Sequence, residues 1–293
     1  ETALGADVVA KATNDYLNST EKEIVLATCC PSVVNYIKIY YPEHEQYLAP
    51  FVSPMIAHTR MLRESGYRNH KLVFIGPCIA KKKEADIYGD ELDAVLTFNE
   101  FRAWMEREGI YFADMDRVTL PDNFVIGASE RAGLFPVDNG MISTMCKDVK
   151  PVDAQFMSFS GMRQVMEVCG ELAEWKPEKK VFIELMACDG GCIKGPATSD
   201  KCGIAAKRNK LLHDFDIFKK SGLALQLPAK DINLSNSDYK VPYKINCIYS
   251  ESEIQEVLNS MGKKTKADEL NCSGCGYDNC RAYAVALLEG KAE

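Results

Sequence analysis

Twelve cysteines are spread over 293 residues, and seven of them fall into three tight groupings. Cys29 and Cys30 are adjacent, Cys188 and Cys192 are separated by three residues, and Cys272, Cys275 and Cys280 make a C-x2-C-x4-C run. Thiols at such spacings serve metal or redox chemistry. Cys30, Cys78, Cys188 and Cys192 together offer four sulfurs, the number a [4Fe–4S] cubane takes. Zinc also accepts four thiolates, but structural zinc sites favour paired C-x2-C knuckles. A lone buried cysteine is more often a small apolar filler. What sets these apart is the context they share.

That context is the end of a strand. The apolar run 23–27 leads into Thr28-Cys29-Cys30-Pro31, the run 71–76 into Pro77-Cys78, and the run 181–185 into Cys188. A fourth run covers 93–97. Helix-period stretches at 33–41, 54–65, 99–108 and 158–168 alternate with the runs. Continuous apolar strands alternating with helices predict α/β layers built on parallel sheet. Ligands in such sheets gather at the carboxyl ends of the strands. Gly190-Gly191 would let the backbone turn closely around a bulky inorganic core. The expected organisation is a domain over 1–225, a polar linker over 226–249 and a small cysteine-rich unit over 250–293. Ser250 and Glu253 read as the capping box of that unit's first helix, and 278–289 reads as a second helix after the C-x2-C-x4-C run.

Three segments resemble the signatures of the [FeFe]-hydrogenases, approximately TSCCPxW, MPCxxKxxE and ExMACxxGCxxGG. They are Thr28-Cys29-Cys30-Pro31, then Pro77-Cys78 with Lys81 and Glu84, then Glu184-Leu185-Met186-Ala187-Cys188 with Cys192. They occur in the family's order within 5–218. The resemblance implies two lobes of parallel sheet flanked by helices, with the cluster site between them. It implies a cubane on Cys30, Cys78, Cys188 and Cys192. Cys192 would also bridge to a diiron subsite bearing CO, cyanide and an azadithiolate. Cys29 would pass protons, Lys81 would donate to a cyanide, and Met186 would pack on the diiron unit. Pro77, Ser53 and Glu84 would line the cofactor, with Glu84 either anchoring Lys81 or simply exposed. Lys82 and Lys83 read as a solvated helix start.

The sequence departs from the fast enzymes of that family. Val33 stands where an aromatic is expected, Gly76 replaces a methionine, and the last glycine run reads Gly195-Pro196-Ala197. After Gly5-Ala6-Asp7, residues 8–13 contain no glutamate for a proton relay. Proton transfer needs titratable groups at hydrogen-bond spacing. The departures resemble the sensory subgroup, and imply slow reversible H2 cleavage used as a signal. The C-terminal run resembles a four-cysteine [4Fe–4S] module, with three of its cysteines present. The resemblance further implies ferredoxin-like clusters upstream and a PAS-like signalling domain downstream. The competing reading is a non-catalytic hydrogenase-like protein of iron–sulfur assembly or electron transfer, although those relatives generally carry one cysteine where Cys29 and Cys30 stand.

A net charge of −7 argues against nucleic acid as a partner. No apolar run approaches the ~20 residues that cross a bilayer. The sequence opens on Glu1, reads as a piece of a longer chain and carries no recognisable secretory signal, so a cytoplasmic location is expected. Cys146, Cys169, Cys202 and Cys247 have no partner spacing and read as ordinary thiols. The four histidines (His44, His58, His70, His213) are expected on the surface. Met141, Met145, Met157, Met162 and Met166 are expected in the core.

Overall fold

The structure is a computed structural model. It describes residues 1–111, 129, 132–146, 153–198, 202–220 (backbone only from 217), 232–240, 249–290 and 292. Cys247 lies outside them. The chain divides into two units, Glu1–Pro242 and Tyr243–Glu293.

In chain order the first unit runs α1 (Ala3–Ser19), β1 (Ile24–Leu26), α2 (Pro31–Tyr40), α3 (Pro54–Leu62), β2 (Val73–Gly76), α4 (Ala80–Tyr88), β3 (Ala94–Thr97) and α5 (Phe98–Arg107). It continues with α6 (Gly140–Met145), β4 (Gln155–Ser160), α7 (Met162–Glu171), β5 (Val181–Met186) and α8 (Ile204–Lys220). Two separate parallel sheets form, with orders β1-β5-β4 and β2-β3. These are the two expected lobes. β5 is central, and all six of its residues are buried, which is why it reads as an unbroken apolar run. Ile24 pairs with Val181 and Leu26 with Ile183, so Cys29 and Cys30 leave the sheet at the same end as Cys188. In the second sheet Gly76 pairs with Thr97, one residue before Pro77-Cys78. Thr97 then starts α5 with a reciprocal capping box to Glu100.

Several expectations need correction. Residues 158–160 are the end of β4, not helix; helix begins only at Met162. Phe156, Met157 and Phe159 carry no clear period, and pairing of Gln155–Ser160 along β5 decides the matter. The helices α1 and α8 were not anticipated. The expected linker 226–249 is not free of the fold where it is described: Val52 N–H donates to the Leu234 carbonyl at 2.8 Å, and Tyr239 is buried. His44 is buried too, its Nε2 3.0 Å from the Cys169 carbonyl oxygen and its ring stacked on Tyr41. A polar neighbourhood in sequence hid an aromatic one in space. His58 is only partly exposed, and burial pushes its pKa down to about 4. Met141 and Met145 are core, as expected, but Met166 is half exposed.

The second unit holds α9 (Glu251–Ser260) and α10 (Cys280–Leu288). Ser250 and Glu253 form the expected capping box. Leu258, Cys280 and Ala284 make its small core, backed by Ile254, Val257 and Met261.

The loop after β5 is held by glycine. Gly191 has φ +93°, and a Cβ there would lie 2.5 Å from the Pro136 carbonyl oxygen. Gly191→Ala is therefore expected to destabilise the iron-free protein by about 2 kcal/mol or more, from backbone strain plus the clash. Urea unfolding checks this; a midpoint equal to that of the parent chain contradicts it.

Candidate metal centre

Both sheets point their carboxyl ends at one place. Cys30 is the N-cap residue of α2, with Pro31 in the first helical position. It therefore sits where a helix start favours negative charge on sulfur. Cys78 follows β2 and precedes α4. Cys188 lies two residues beyond β5, and Cys192 opens a short 3-10 turn, Cys192–Lys194. That turn closes on the other lobe: a Cβ on Gly195 would be 2.8 Å from the Pro77 carbonyl oxygen, and Ala197 N–H donates to the same oxygen at 3.3 Å. A stretch from one sheet thus lies against the residue that precedes Cys78 in the other.

The sulfurs of Cys30, Cys78, Cys188 and Cys192 are electrostatic neighbours in every pairing. All four are free of disulfides. Among the described residues, however, no three Cys, His, Asp or Glu side chains close around a point as a single ion requires. Burial, reinforced by the neighbouring sulfurs, pushes Cys188 up to about 11 and Cys192 up to about 12. Burial also raises Cys30, while the backbone N–H groups of Ala187 and Val33 pull the other way. Such thiols keep their protons until cations displace them. The donor set fits a polynuclear iron–sulfur group better than a lone tetrahedral zinc.

The surroundings are dry and sparsely polar. Lys81 is 9% exposed and its Nζ lies 2.6 Å from Glu84 Oε2. Burial works against its charge, but Glu84 and the sulfurs of Cys78 and Cys192 outweigh that and hold its pKa above the usual lysine value. Glu84, 2% exposed, is therefore an anchor for Lys81. Lys82 instead pairs with Glu100 near the surface, and Lys83 is exposed. Met186, the last residue of β5, is buried. Ser53 is buried, and its Oγ has no hydrogen-bond partner among the described residues. An orphaned buried hydroxyl is rare unless a missing group completes it.

A family model, that of the iron-only hydrogenase large subunit, C-terminal domain, matches residues 1–196. The chain belongs to this family. A second model, that of an Fe-S cluster family, matches residues 268–293. Among characterised relatives, the periplasmic [Fe] hydrogenase large subunit of Nitratidesulfovibrio vulgaris is 26% identical over 215 residues, covering 57% of this chain and 50% of that protein. Iron hydrogenase 1 of Clostridium pasteurianum is 25% identical over 242 residues, covering 66% and 42%. The chain thus spans half or less of the length of these relatives. Among solved structures, an [FeFe]-hydrogenase from Chlamydomonas reinhardtii superposes with a TM-score of 0.60 at 18% identity, covering 77% of this chain and 76% of that one. A structure of an H-cluster assembly stage gives 0.59 at 17%, covering 77% and 75%. These structural matches establish the hydrogenase fold.

One residue of this hydrogenase-family site escaped the sequence reading as more than a motif letter. Glu184 is fully buried in β5 and accepts the backbone N–H groups of Met141 and Ile142 at 3.3 and 3.1 Å. It is also an electrostatic neighbour of Cys29, whose thiol burial, then Glu184, drive well above its usual range. The signal was available, since Glu184 is the one ionisable residue in an otherwise apolar strand.

In the second unit, Cys280 occupies the first turn of α10, its N–H donating to Asn271 Oδ1 at 2.9 Å. Cys272 and Cys275 are exposed on the preceding loop. No helix among the described residues is long and apolar enough to cross a membrane.

Burial, partly offset by the two backbone donors, raises Glu184 to about 7 from an ordinary carboxyl value. A folded-state pKa above the unfolded one means the native state binds the extra proton. Stability from this group is full below about pH 4 and is lost as pH rises through about 7, by about 3 kcal/mol in all. The iron-free protein should therefore lose stability between pH 5 and 8, and Glu184→Gln should flatten that slope. Equal pH slopes for the two proteins contradict the assignment.

Proposed function

We propose that the first unit carries a [4Fe–4S] cluster on Cys30, Cys78, Cys188 and Cys192, with Cys192 shared with a diiron subcluster bearing CO, cyanide and azadithiolate ligands. When bound, such a group supplies the redox chemistry that interconverts H2 with protons and electrons. The observation that carries this reading is the four cysteine sulfurs from three strand ends that are electrostatic neighbours in every pairing. The family membership supports it independently.

The chain's own side chains then divide the remaining work. The Cys29 thiol holds a proton inside the pocket, with Glu184 as a neighbouring carboxyl. Lys81, kept charged by Glu84, presents a compact cation to anionic ligands. Ser53 Oγ has a free hydroxyl to donate. Met186 and Val33 exclude water from the sulfurs. Residues 8–13 of α1 contain no carboxylate, so proton exchange with solvent is slow. We therefore assign reversible H2 cleavage at a low rate, serving H2 or redox sensing. The second unit, through Cys272, Cys275 and Cys280, would hold a second [4Fe–4S] cluster and carry electrons or the redox state onward. Its natural neighbours would be a ferredoxin-like electron carrier domain and a PAS-like signalling domain. The described cysteines are all free, which suits a reducing cytoplasm.

The test uses protein matured with its diiron subcluster. Infrared bands of bound CO and cyanide are expected, with H2 evolution from a reduced dye about a hundredfold or more below fast hydrogenases, as loss of a proton relay dictates. A rate equal to the fast enzymes overturns the sensory assignment. Absence of the bands after full maturation favours the non-catalytic iron–sulfur reading. Serine in place of any of Cys30, Cys78, Cys188 or Cys192 should reduce bound iron. Cys29→Ala should keep the iron and lose most turnover; full turnover in that variant removes Cys29 from proton transfer.

A further inference from the structure

Residues 232–240 lie beyond the stretch that matches the family model, yet they are fastened to it. Ser235 bridges to Phe51 in antiparallel fashion. Val52 N–H donates to the Leu234 carbonyl, and Asn236 Nδ2 donates to the Ala49 carbonyl at 3.0 Å. Arg60, itself clamped by two bonds to Glu91, donates to the Asn233 and Ser235 carbonyls at 2.7 and 3.0 Å. The stretch is a strap tied along residues 49–52, directly before the orphaned Ser53.

Tyr239 is the strap's buried end, 6% exposed. Its hydroxyl donates to Asn35 Oδ1 at 2.8 Å. Its ring meets Tyr88 edge-on at 6.0 Å, and the Lys38 ammonium lies 5.7 Å from its centroid. Lys38 also donates to the Tyr239 carbonyl at 3.2 Å. Asn35 and Lys38 belong to α2, the helix that Cys30 caps, and Tyr88 belongs to α4, the helix of Lys81 and Glu84. One side chain thus wedges between the helices that follow Cys30 and Cys78. Cys30 and Glu84 are its electrostatic neighbours.

We propose that Tyr239 is a positioning residue for the cluster site: through Asn35 and Lys38 it holds the middle and last turn of α2, the helix that Cys30 caps, and its ring keeps water from the Cys30 and Glu84 side. The inference rests on the four-thiolate reading above. A cluster held by four thiolates becomes more negative on reduction, and water near it stabilises that state. Removing the ring should therefore raise the reduction potential and ease the opening that lets iron escape.

The experiment uses the full chain carrying Cys272→Ser, Cys275→Ser and Cys280→Ser, so that only the first unit's cluster reports. It measures redox potential, electron paramagnetic resonance of the reduced cluster, and iron release to a chelator. Tyr239→Ala should shift the potential upward and release iron about tenfold faster, the effect of roughly 1.4 kcal/mol in the opening equilibrium. Tyr239→Phe, which keeps the ring, should restore the potential. Phe156→Ala, which breaks a comparable buried ring pair at β4, should lower stability without moving the potential. If Tyr239→Ala does not fold, Asn236→Ala loosens the strap from Ala49 and should still speed iron release. A potential and release rate unchanged in Tyr239→Ala, or unchanged release in Asn236→Ala, overturns the inference and leaves the four-thiolate reading standing. Failure of the background chain to take up a four-iron cluster overturns both.

Discussion

Four half-buried cysteines from three separate strand ends have to meet, and the rest of the first unit can be understood as what makes them meet. Thiols so placed repel one another as anions and lose hydration, which is why Cys188 and Cys192 titrate only near 11 and 12. The proposed cluster would exchange metal for the protons that burial keeps on Cys30, Cys188 and Cys192. Two devices keep the geometry ready for that exchange. Parallel pairing of β1 with β5 brings Cys30 out beside Ala187, the residue before Cys188. The close approach of Gly195 to the Pro77 carbonyl ties the Cys192 turn to the lobe that bears Cys78. A side chain at residue 195 would push these stretches apart.

Buried polar groups around the sulfurs follow the same logic. Lys81 keeps its charge in a dry place because Glu84 sits 2.6 Å away, with the sulfurs of Cys78 and Cys192 adding to the effect. Glu184 is satisfied by two backbone N–H groups at the start of α6, which lets a carboxyl sit within a central parallel strand. Each group is costly to bury and each is compensated. Such arrangements specify a site more than they stabilise a fold.

Most of what positions the sulfurs was legible because it depends on local rules. Apolar runs announced β1, β2, β3 and β5, and cysteines at their ends announced the site. Ser250 with Glu253 announced α9. What was illegible depends on distant partners. β4 is strand because β5 is beside it, not because of its own pattern. The strap 232–240 is rich in Asn, Ser and Asp and looks like solvent-exposed chain; its docking comes from main-chain bonds to 49–52 and one tyrosine. His44 looked like a surface histidine until Tyr41 and the Cys169 carbonyl closed over it. Glu84 could not be placed from sequence because spacing alone does not distinguish a buried ion pair from an exposed one. The roles of Cys29 and Ser53 came from family resemblance, and the structure adds their burial and the orphaned state of the Ser53 hydroxyl.

The central claim is polynuclear iron on Cys30, Cys78, Cys188 and Cys192. X-ray absorption at the iron edge tests it most directly, on the reconstituted full chain with the three C-terminal cysteines replaced by serine. The account predicts iron–sulfur scattering accompanied by a clear iron–iron shell, lost when Cys188 is replaced by serine. A sulfur shell without iron–iron scattering, or zinc held in place of iron, would contradict it.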